Sequence, residues 1–153
     1  MSNLRSKVIR LAHSKPELRA ALLPLLKQAA GLNVPGVHIF GDAKVFDDAK
    51  VTGSAKVSGS AQVSGSADVF GWTRVSGSVR VFGSAKVFGR AEVSGSAEVF
   101  GRAQVAGNAL VSDDAKVFGT ARISGTAVIL GGAWDGSEGP ITSGKWMAPG
   151  VPL

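Results

Sequence analysis

One arrangement of apolar and polar positions is repeated along most of this chain. A β-branched residue stands at every sixth position, sixteen times without an insertion or a deletion. The residue four positions after it is Ala, except at Thr73 and Val79, and a polar residue usually separates this Ala from the next β-branched residue. Residues two apart face the same side of a strand, so each repeat predicts one short strand with an apolar inner face and a polar outer face. The β-branched positions are Ile39, Val45, Val51, Val57, Val63, Val69, Val75, Val81, Val87, Val93, Val99, Val105, Val111, Val117, Ile123 and Ile129.

The third position of each repeat predicts a turn. It is Gly throughout, except at Asp47 and Asp113. Gly adopts positive φ without a steric penalty, and Asp is one of the few other residues that tolerate this conformation. Each six-residue repeat is therefore expected to form one strand and one corner.

These repeats predict a solenoid, because a strand this short cannot bury its face alone and no helix separates the strands. Residues such as Val57-Ser58-Gly59-Ser60-Ala61-Gln62, with an aliphatic residue followed four positions later by a small one, resemble the hexapeptide-repeat superfamily. The resemblance covers residues 39–134. It implies an all-β fold, a left-handed parallel β-helix in which three repeats form one triangular coil, and thus about five coils.

The segment before the repeats has a different pattern. Residues 1–30 show helical spacing of apolar residues in two stretches, and Ser14 and Glu17 have the spacing of a capping box. This arm holds six basic and one acidic side chains, a net charge of +5 of the +6 of the whole chain. Residues 31–38 read as a linker.

Two interpretations of the arm stay open: it caps the first coil of the solenoid, or it docks the protein onto a larger assembly. A transit peptide or a membrane-surface helix is a further reading, against which Glu17 and the capping box argue. The predicted docking residues are Leu4, Arg5, Val8, Arg10, Leu11, Leu18, Arg19, Leu22, Leu25 and Leu26.

The arm also resembles a known class of N-terminal segments. The stretches Leu4–His13, Pro16–Arg19 and Leu22–Leu26 look like the leaders of structural proteins of tailed bacteriophages. The resemblance covers less than a fifth of the chain, and its motif has low specificity. It implies a component of a phage particle.

Outward residues can be grouped by taking every eighteenth position, since three repeats would complete one coil. One such group, the phenylalanine column, comprises Phe46, Ser64, Phe82, Phe100 and Phe118. Stacked rings stabilise neighbouring coils without any partner. A single apolar column on one face is also what an oligomer interface needs, so Phe46, Phe82, Phe100 and Phe118 are the predicted interface. The resemblance favours a homotrimer, because members of the superfamily commonly associate through such faces.

Three further features have less specific meanings. Trp72 lies one coil from Arg90 in the same column, which predicts either a cation–π contact or merely an exposed irregularity. The pairs Asp47-Asp48 and Asp113-Asp114 do not share a column, so they are interpreted as turn residues rather than a calcium site. Residues 135–153, rich in Gly and Pro, predict an irregular C-terminal cap and tail.

The residues needed for catalysis are scarce. Relatives with this fold include acyltransferases with a histidine base and carbonic anhydrases with three zinc-binding histidines. This chain has two histidines, His13 in the arm and His38 at the first repeat, and it has no cysteine. We therefore predict no catalytic residue, no metal and no cofactor; the contrasting hypothesis is an acyltransferase-like enzyme that uses His38 as its base.

The sequence thus favours a non-catalytic structural and assembly protein. The expected role is a decoration, spike or spacer of a phage virion that docks through its arm onto a protein partner. No apolar run reaches the roughly 20 residues of a membrane span, and the solenoid faces mix both charge signs, so neither a membrane nor a nucleic acid is an expected partner. The expected location is the virion, or otherwise the cytoplasm as a soluble protein.

Overall fold

The computed structural model describes residues 36–148 and 151–152 of the 153-residue chain. The predicted helical arm, with all of its docking residues, lies outside the described residues. So does most of the predicted linker. The structural account therefore concerns the solenoid and the segment that follows it.

Nineteen strands are present in the described residues, and most of them are two residues long. In the regular strands the first residue faces outward and the second is the β-branched residue, which faces the core. The strands are β1 (His38–Ile39), β2 (Lys44–Val45), β3 (Lys50–Val51), β4 (Lys56–Val57), β5 (Gln62–Val63), β6 (Asp68–Val69), β7 (Arg74–Val75), β8 (Arg80–Val81), β9 (Lys86–Val87), β10 (Glu92–Val93), β11 (Glu98–Val99), β12 (Gln104–Val105), β13 (Leu110–Val111), β14 (Lys116–Val117), β15 (Arg122–Ile123), β16 (Val128–Ile129), β17 (Ala133–Trp134), β18 (Lys145–Ala148) and β19 (Val151–Pro152).

The strands form three sheets, one for each side of the coil. The first sheet has the order β1-β4-β7-β10-β13-β16-β18-β19, the second β17-β14-β11-β8-β5-β2 and the third β15-β12-β9-β6-β3. Every third strand is therefore a neighbour, and all pairs except β18 with β19 are parallel. The prediction of an all-β parallel solenoid is confirmed, with about six turns and no helix in the described residues.

Hydrogen bonds join successive coils at the strands and also at the corners. The amide of Lys56 donates to the carbonyl of Thr73 at 2.9 Å, and the corner amide of Ser60 donates to the carbonyl of Gly77 at 2.9 Å. The same step of seventeen residues recurs from coil to coil up to the bond from the amide of Ser112 to the carbonyl of Ile129. The corners are therefore as firmly attached to the next coil as the strands are.

The core consists of the two inward positions of each repeat. From Val57 to Val117 the Val side chains are fully buried, and the inward Ala residues between them are 0 or 1% exposed. In the first coil, by contrast, Ile39, Val45 and Val51 are half-buried. The interior of the coil is thus filled by side chains over most of its length and less covered at its beginning.

The corner prediction is confirmed. From Gly41 to Gly125 the Gly residues of the corners have positive φ, and the two substitutes Asp47 and Asp113 have φ of 59° and 55°. In the last repeat the positive φ is at Gly132 and not at the expected Gly131. The carboxylate of Asp47 also accepts a hydrogen bond of 3.1 Å from the amide of Gly65 in the next coil. Asp at this corner therefore adopts the required conformation and adds one bond between coils.

The last repeat differs from the sequence pattern by one residue. Trp134 pairs with Val117 and is 1% exposed, whereas the sixfold period would bring the residue at 135 to this place. The carbonyl of Gly132 accepts the hydrogen bond from the amide of Lys116, as the carbonyl of an inward Ala does in the preceding coils.

The segment after Trp134 continues the solenoid instead of covering it with loops alone. Strand β18 pairs in parallel with β16, and Ile141 forms a bridge with Ile123 of the third sheet. The rings of Trp134 and Trp146 meet edge to face, with their centroids 6.1 Å apart. The described part of the chain contains no helix, and therefore no helix there could span a membrane.

Candidate interaction surfaces

The inward positions are filled by Val and Ala, so chemistry depends on the outward residues. These occupy the second, fourth and sixth positions of each repeat, and residues eighteen apart lie side by side in adjacent coils, as Lys44 and Gln62 do. Each sheet and each corner therefore carries columns of outward side chains. These columns are the candidate interaction sites.

The phenylalanine column is a stack of rings on the second sheet. Phe82 and Phe100 have centroids 4.8 Å apart and planes inclined by 2°; Phe100 and Phe118 have centroids 5.1 Å apart and planes inclined by 7°. All three side chains are half-buried. Phe46 is separated from them by Ser64 and is 44% exposed. The structure thus brings together three of the four predicted interface residues, and their contact with a partner stays a prediction.

Charged side chains border this stack. The Arg80 guanidinium lies 5.2 Å from the centroid of Phe82, and its Nη1 atom is 3.2 Å from Oε1 of Glu98. This ion pair is exposed enough to contribute little to stability. It does place a polar rim beside the apolar stack, which is the usual anatomy of a protein interface.

A second, shorter stack lies on the third sheet. The rings of Phe70 and Phe88 have centroids 5.1 Å apart and planes inclined by 5°. Sequence reasoning assigned neither residue a role. The pair provides a natural comparison for the longer stack, because it has the same geometry on another face.

The corner between the third and first sheets carries the exposed Trp72. This side chain is 64% exposed, and the Arg90 guanidinium lies 5.6 Å from its ring centroid. The predicted cation–π contact is confirmed. Sequence reasoning missed the basic residues Lys56 and Arg74 next to Trp72. Their spacing of eighteen residues could have revealed them, because this spacing makes them direct neighbours in one column.

The histidine of the contrasting enzyme hypothesis lies at the start of the solenoid. His38 is exposed on β1, and its ring centroid is 6.3 Å from that of Phe40. No group of three or more His, Cys, Asp or Glu residues that could hold a metal occurs in the part of the chain that the structure describes.

One carboxylate near the C-terminal end has a perturbed acidity. The pKa of Asp135 is lowered from its ordinary value, chiefly because the backbone amide of Ser137 donates a hydrogen bond of 2.9 Å to its Oδ1 atom. The Ser137 hydroxyl lowers it further. A hydrogen bond to the next residue but one is typical of a turn, so we assign Asp135 a structural role.

Comparisons with known protein families, with curated proteins and with solved structures found nothing that matches this chain. The assignment of the fold therefore comes from the geometry itself. A parallel β-solenoid with about 18 residues in each turn is consistent with a hexapeptide-repeat β-helix.

Proposed function

We propose that this chain is a non-catalytic structural and assembly protein, a component of a bacteriophage virion that serves as a decoration, spike or spacer. The observation that carries the proposal is the unbroken ladder from β1 to β18. Coil follows coil without an inserted loop in residues 36–134. Catalytic residues are usually placed on loops that extend from a rigid scaffold, and this stretch has none.

The ladder is suited to mechanical roles. Each coil contacts only its neighbours, so the length of such a solenoid is set by the number of its repeats. Its interior is packed with fully buried Val and Ala side chains between Val57 and Val117. A rigid element of fixed length is what a spacer or a spike requires.

The attachment role falls to residues 1–30. Their excess of basic side chains and their apolar positions at helical spacing support docking onto a protein partner. Self-association falls to the phenylalanine column, whose three stacked rings form an apolar strip on one face. We propose a homotrimer with this strip turned toward the threefold axis.

The oligomer is tested by measuring solution mass with light scattering. We expect the full chain to have three times the 15.5 kDa of one copy. The triple variant Phe82→Ser, Phe100→Ser, Phe118→Ser should have the mass of one copy and keep its β-structure. The matched control Phe70→Ser, Phe88→Ser removes the stack on another face and should stay trimeric. A triple variant that keeps the mass of three copies would rule out this interface.

The docking role is tested with residues 31–153 expressed in place of the full chain during phage assembly. Purified particles should contain the full chain and lack the shortened one, although the shortened chain stays folded by circular dichroism. Equal incorporation of both would show that residues 1–30 are not the attachment element. Acyl transfer by the full chain, lost in His38→Ala, would instead support the contrasting enzyme hypothesis.

A further inference from the structure

A groove runs beside the corner between the third and first sheets. The fourth and sixth positions of a repeat both point outward, whereas the fifth points into the core, so a depression follows between their two columns. Here the depression has a volume of about 460 Å³ and is bordered by Ser54, Trp72 and Arg90 on one side and by Lys56, Arg74 and Glu92 on the other. We call it the tryptophan groove.

Three basic side chains and one carboxylate border this groove. Lys56 and Arg74 are direct neighbours in the first sheet, and Arg90 lies across the groove from them. On the side away from Lys56, Arg74 is paired with Glu92. Like charges at paired positions repel one another, and neither Lys56 nor Arg74 has an ion pair within the described residues. A bound anion would relieve this repulsion.

The groove also offers an exposed aromatic ring. Trp72 is 64% exposed, whereas Trp134 is 1% exposed in the core. The Arg90 guanidinium lies against the ring at 5.6 Å and limits its movement. An indole held in this way presents a flat apolar surface, against which the C–H face of a sugar ring packs well.

We propose that the tryptophan groove binds a short acidic glycan, in which one sugar ring stacks on Trp72. The carboxylate or phosphate of the sugar lies between Lys56, Arg74 and Arg90, which supply charge-assisted hydrogen bonds. The Glu92 carboxylate, at the end of the groove, accepts a hydrogen bond from a sugar hydroxyl. The proposal does not depend on the virion role.

A nucleic acid strand fits these residues less well. Such a strand needs a positively charged track for its successive phosphates. After Arg74 the outward column continues with Glu92, Leu110 and Val128, which are paired in register and provide no further cation. The positive charge is therefore confined to a patch that suits one acidic group and not a polymer of phosphates.

Binding can be measured directly on the indole groups of the full chain. Labelling with 15N-tryptophan gives three indole signals, one for each Trp. The indole N–H groups of Trp134 and Trp146 donate hydrogen bonds to the carbonyls of Gly131 and Ser143, respectively. The Trp72 signal is assigned with Trp72→Leu. The probes are a hyaluronan tetrasaccharide, glucose 6-phosphate, neutral cellotetraose, sodium phosphate and an eight-nucleotide thymidine strand.

We expect a saturable shift of the Trp72 signal with the hyaluronan tetrasaccharide or glucose 6-phosphate, and the tighter of the two identifies the acidic group. Cellotetraose should bind at least tenfold more weakly. Arg74→Gln should weaken binding of the acidic sugar at least fivefold. The matched control Arg80→Gln, which removes an Arg beside Phe82 on another face, should leave the affinity unchanged.

Five results would overturn the proposal. They are the absence of a saturable shift with both acidic sugars, equal binding of the neutral sugar, and an equal shift with sodium phosphate alone, which would mean an adventitious ion only. The fourth is tighter binding of the thymidine strand, which would identify a nucleic-acid site instead. An equal loss in Arg74→Gln and Arg80→Gln would likewise contradict it, because the effect would then come from net charge.

Discussion

The corner glycines should be required for two separable reasons, and Gly77→Ala tests both. Gly77 has φ of 83°, and a Cβ atom at this position would stand 2.6 Å from the carbonyl oxygen of Gly95 in the next coil. The same oxygen accepts the hydrogen bond from the amide of Ser78 at 2.8 Å. The methyl group can therefore be accommodated only if the two coils move apart at this corner.

Gly139→Ala is the matched control. Gly139 has φ of 79°, but a Cβ atom there would meet nothing within 4 Å. Both variants carry the penalty of about 1–2 kcal/mol for a left-handed Ala, partly offset by about 0.4–1 kcal/mol because the unfolded chain is less free. We expect Gly139→Ala to lower the free energy of unfolding by about 1 kcal/mol.

Gly77→Ala should lower it further. Separation of the coils weakens the bond from Ser78 to Gly95, worth about 0.5–1.5 kcal/mol, and loosens the packing beside it. We therefore expect a total loss of about 2–4 kcal/mol.

Urea denaturation of the full chain, followed by circular dichroism, measures both variants. Hydrogen exchange of the amides at Ser78 and its neighbours should also accelerate in Gly77→Ala, which locates the damage even if the solenoid does not unfold in a single step. Equal losses in the two variants would refute the reasoning, because positive φ alone would then explain the need for Gly.

Three further predictions concern the stack, the core and the C-terminal turn. Phe100→Ser removes two ring contacts and should reduce stability by about 1–3 kcal/mol in thermal denaturation. The control Phe46→Ser removes no described ring contact and should have less than half this effect. Equal effects of the two substitutions would contradict a role for stacking. Thr73→Val should raise the free energy of unfolding by about 1–2 kcal/mol, because the buried Oγ1 atom of Thr73 has no hydrogen-bond partner in the described residues. A lower urea midpoint in this variant would show instead that the hydroxyl is needed. Carbon NMR should give Asp135 a pKa below 3.8, so that its carboxylate stabilises the fold above this pH and the effect is lost as the pH falls through the lowered value. Ser137→Ala should leave the pKa lowered, since the backbone amide is the larger cause, and an ordinary pKa in that variant would contradict this.

The repeat was sufficient to predict the strands, the corners and the stacking of coils. A period of six with Val and Ala two residues apart admits one inner face, and the positive φ of Asp47 confirms the reading of the third position. The end of the repeat was harder to predict. Trp134 lies one residue early, and the carbonyl of Gly132, not that of Ala133, accepts the hydrogen bond from Lys116. The buried indole ring of Trp134 accompanies this change of register, which the sixfold pattern does not encode.

The strands after the repeat also escaped sequence reasoning. Residues 145–148 have no hexapeptide pattern, and their neighbours are rich in Gly and Pro, which usually indicates loops. They pair nevertheless, because β16 presents an edge with free backbone groups and β18 satisfies them. An exposed strand edge with unpaired backbone groups can thus induce a neighbouring segment of low intrinsic β-propensity to form a strand.

The outer surface follows a period of about eighteen residues, whereas the core follows a period of six. The residues that determine the fold therefore differ from those that are available for interactions. Inside, most repeats present the same Val and Ala, so a shift by six residues would leave most of the core unchanged. Outside, residues meet only when they are eighteen apart, and Phe82 stacks on Phe100 while Ser76 and Ser94 lie together on another sheet. Surface residues such as these distinguish the three sheets from one another. Substitutions that keep the sixfold pattern but exchange outward residues between columns should therefore preserve the fold and abolish the interactions, which circular dichroism and the binding assays would show independently.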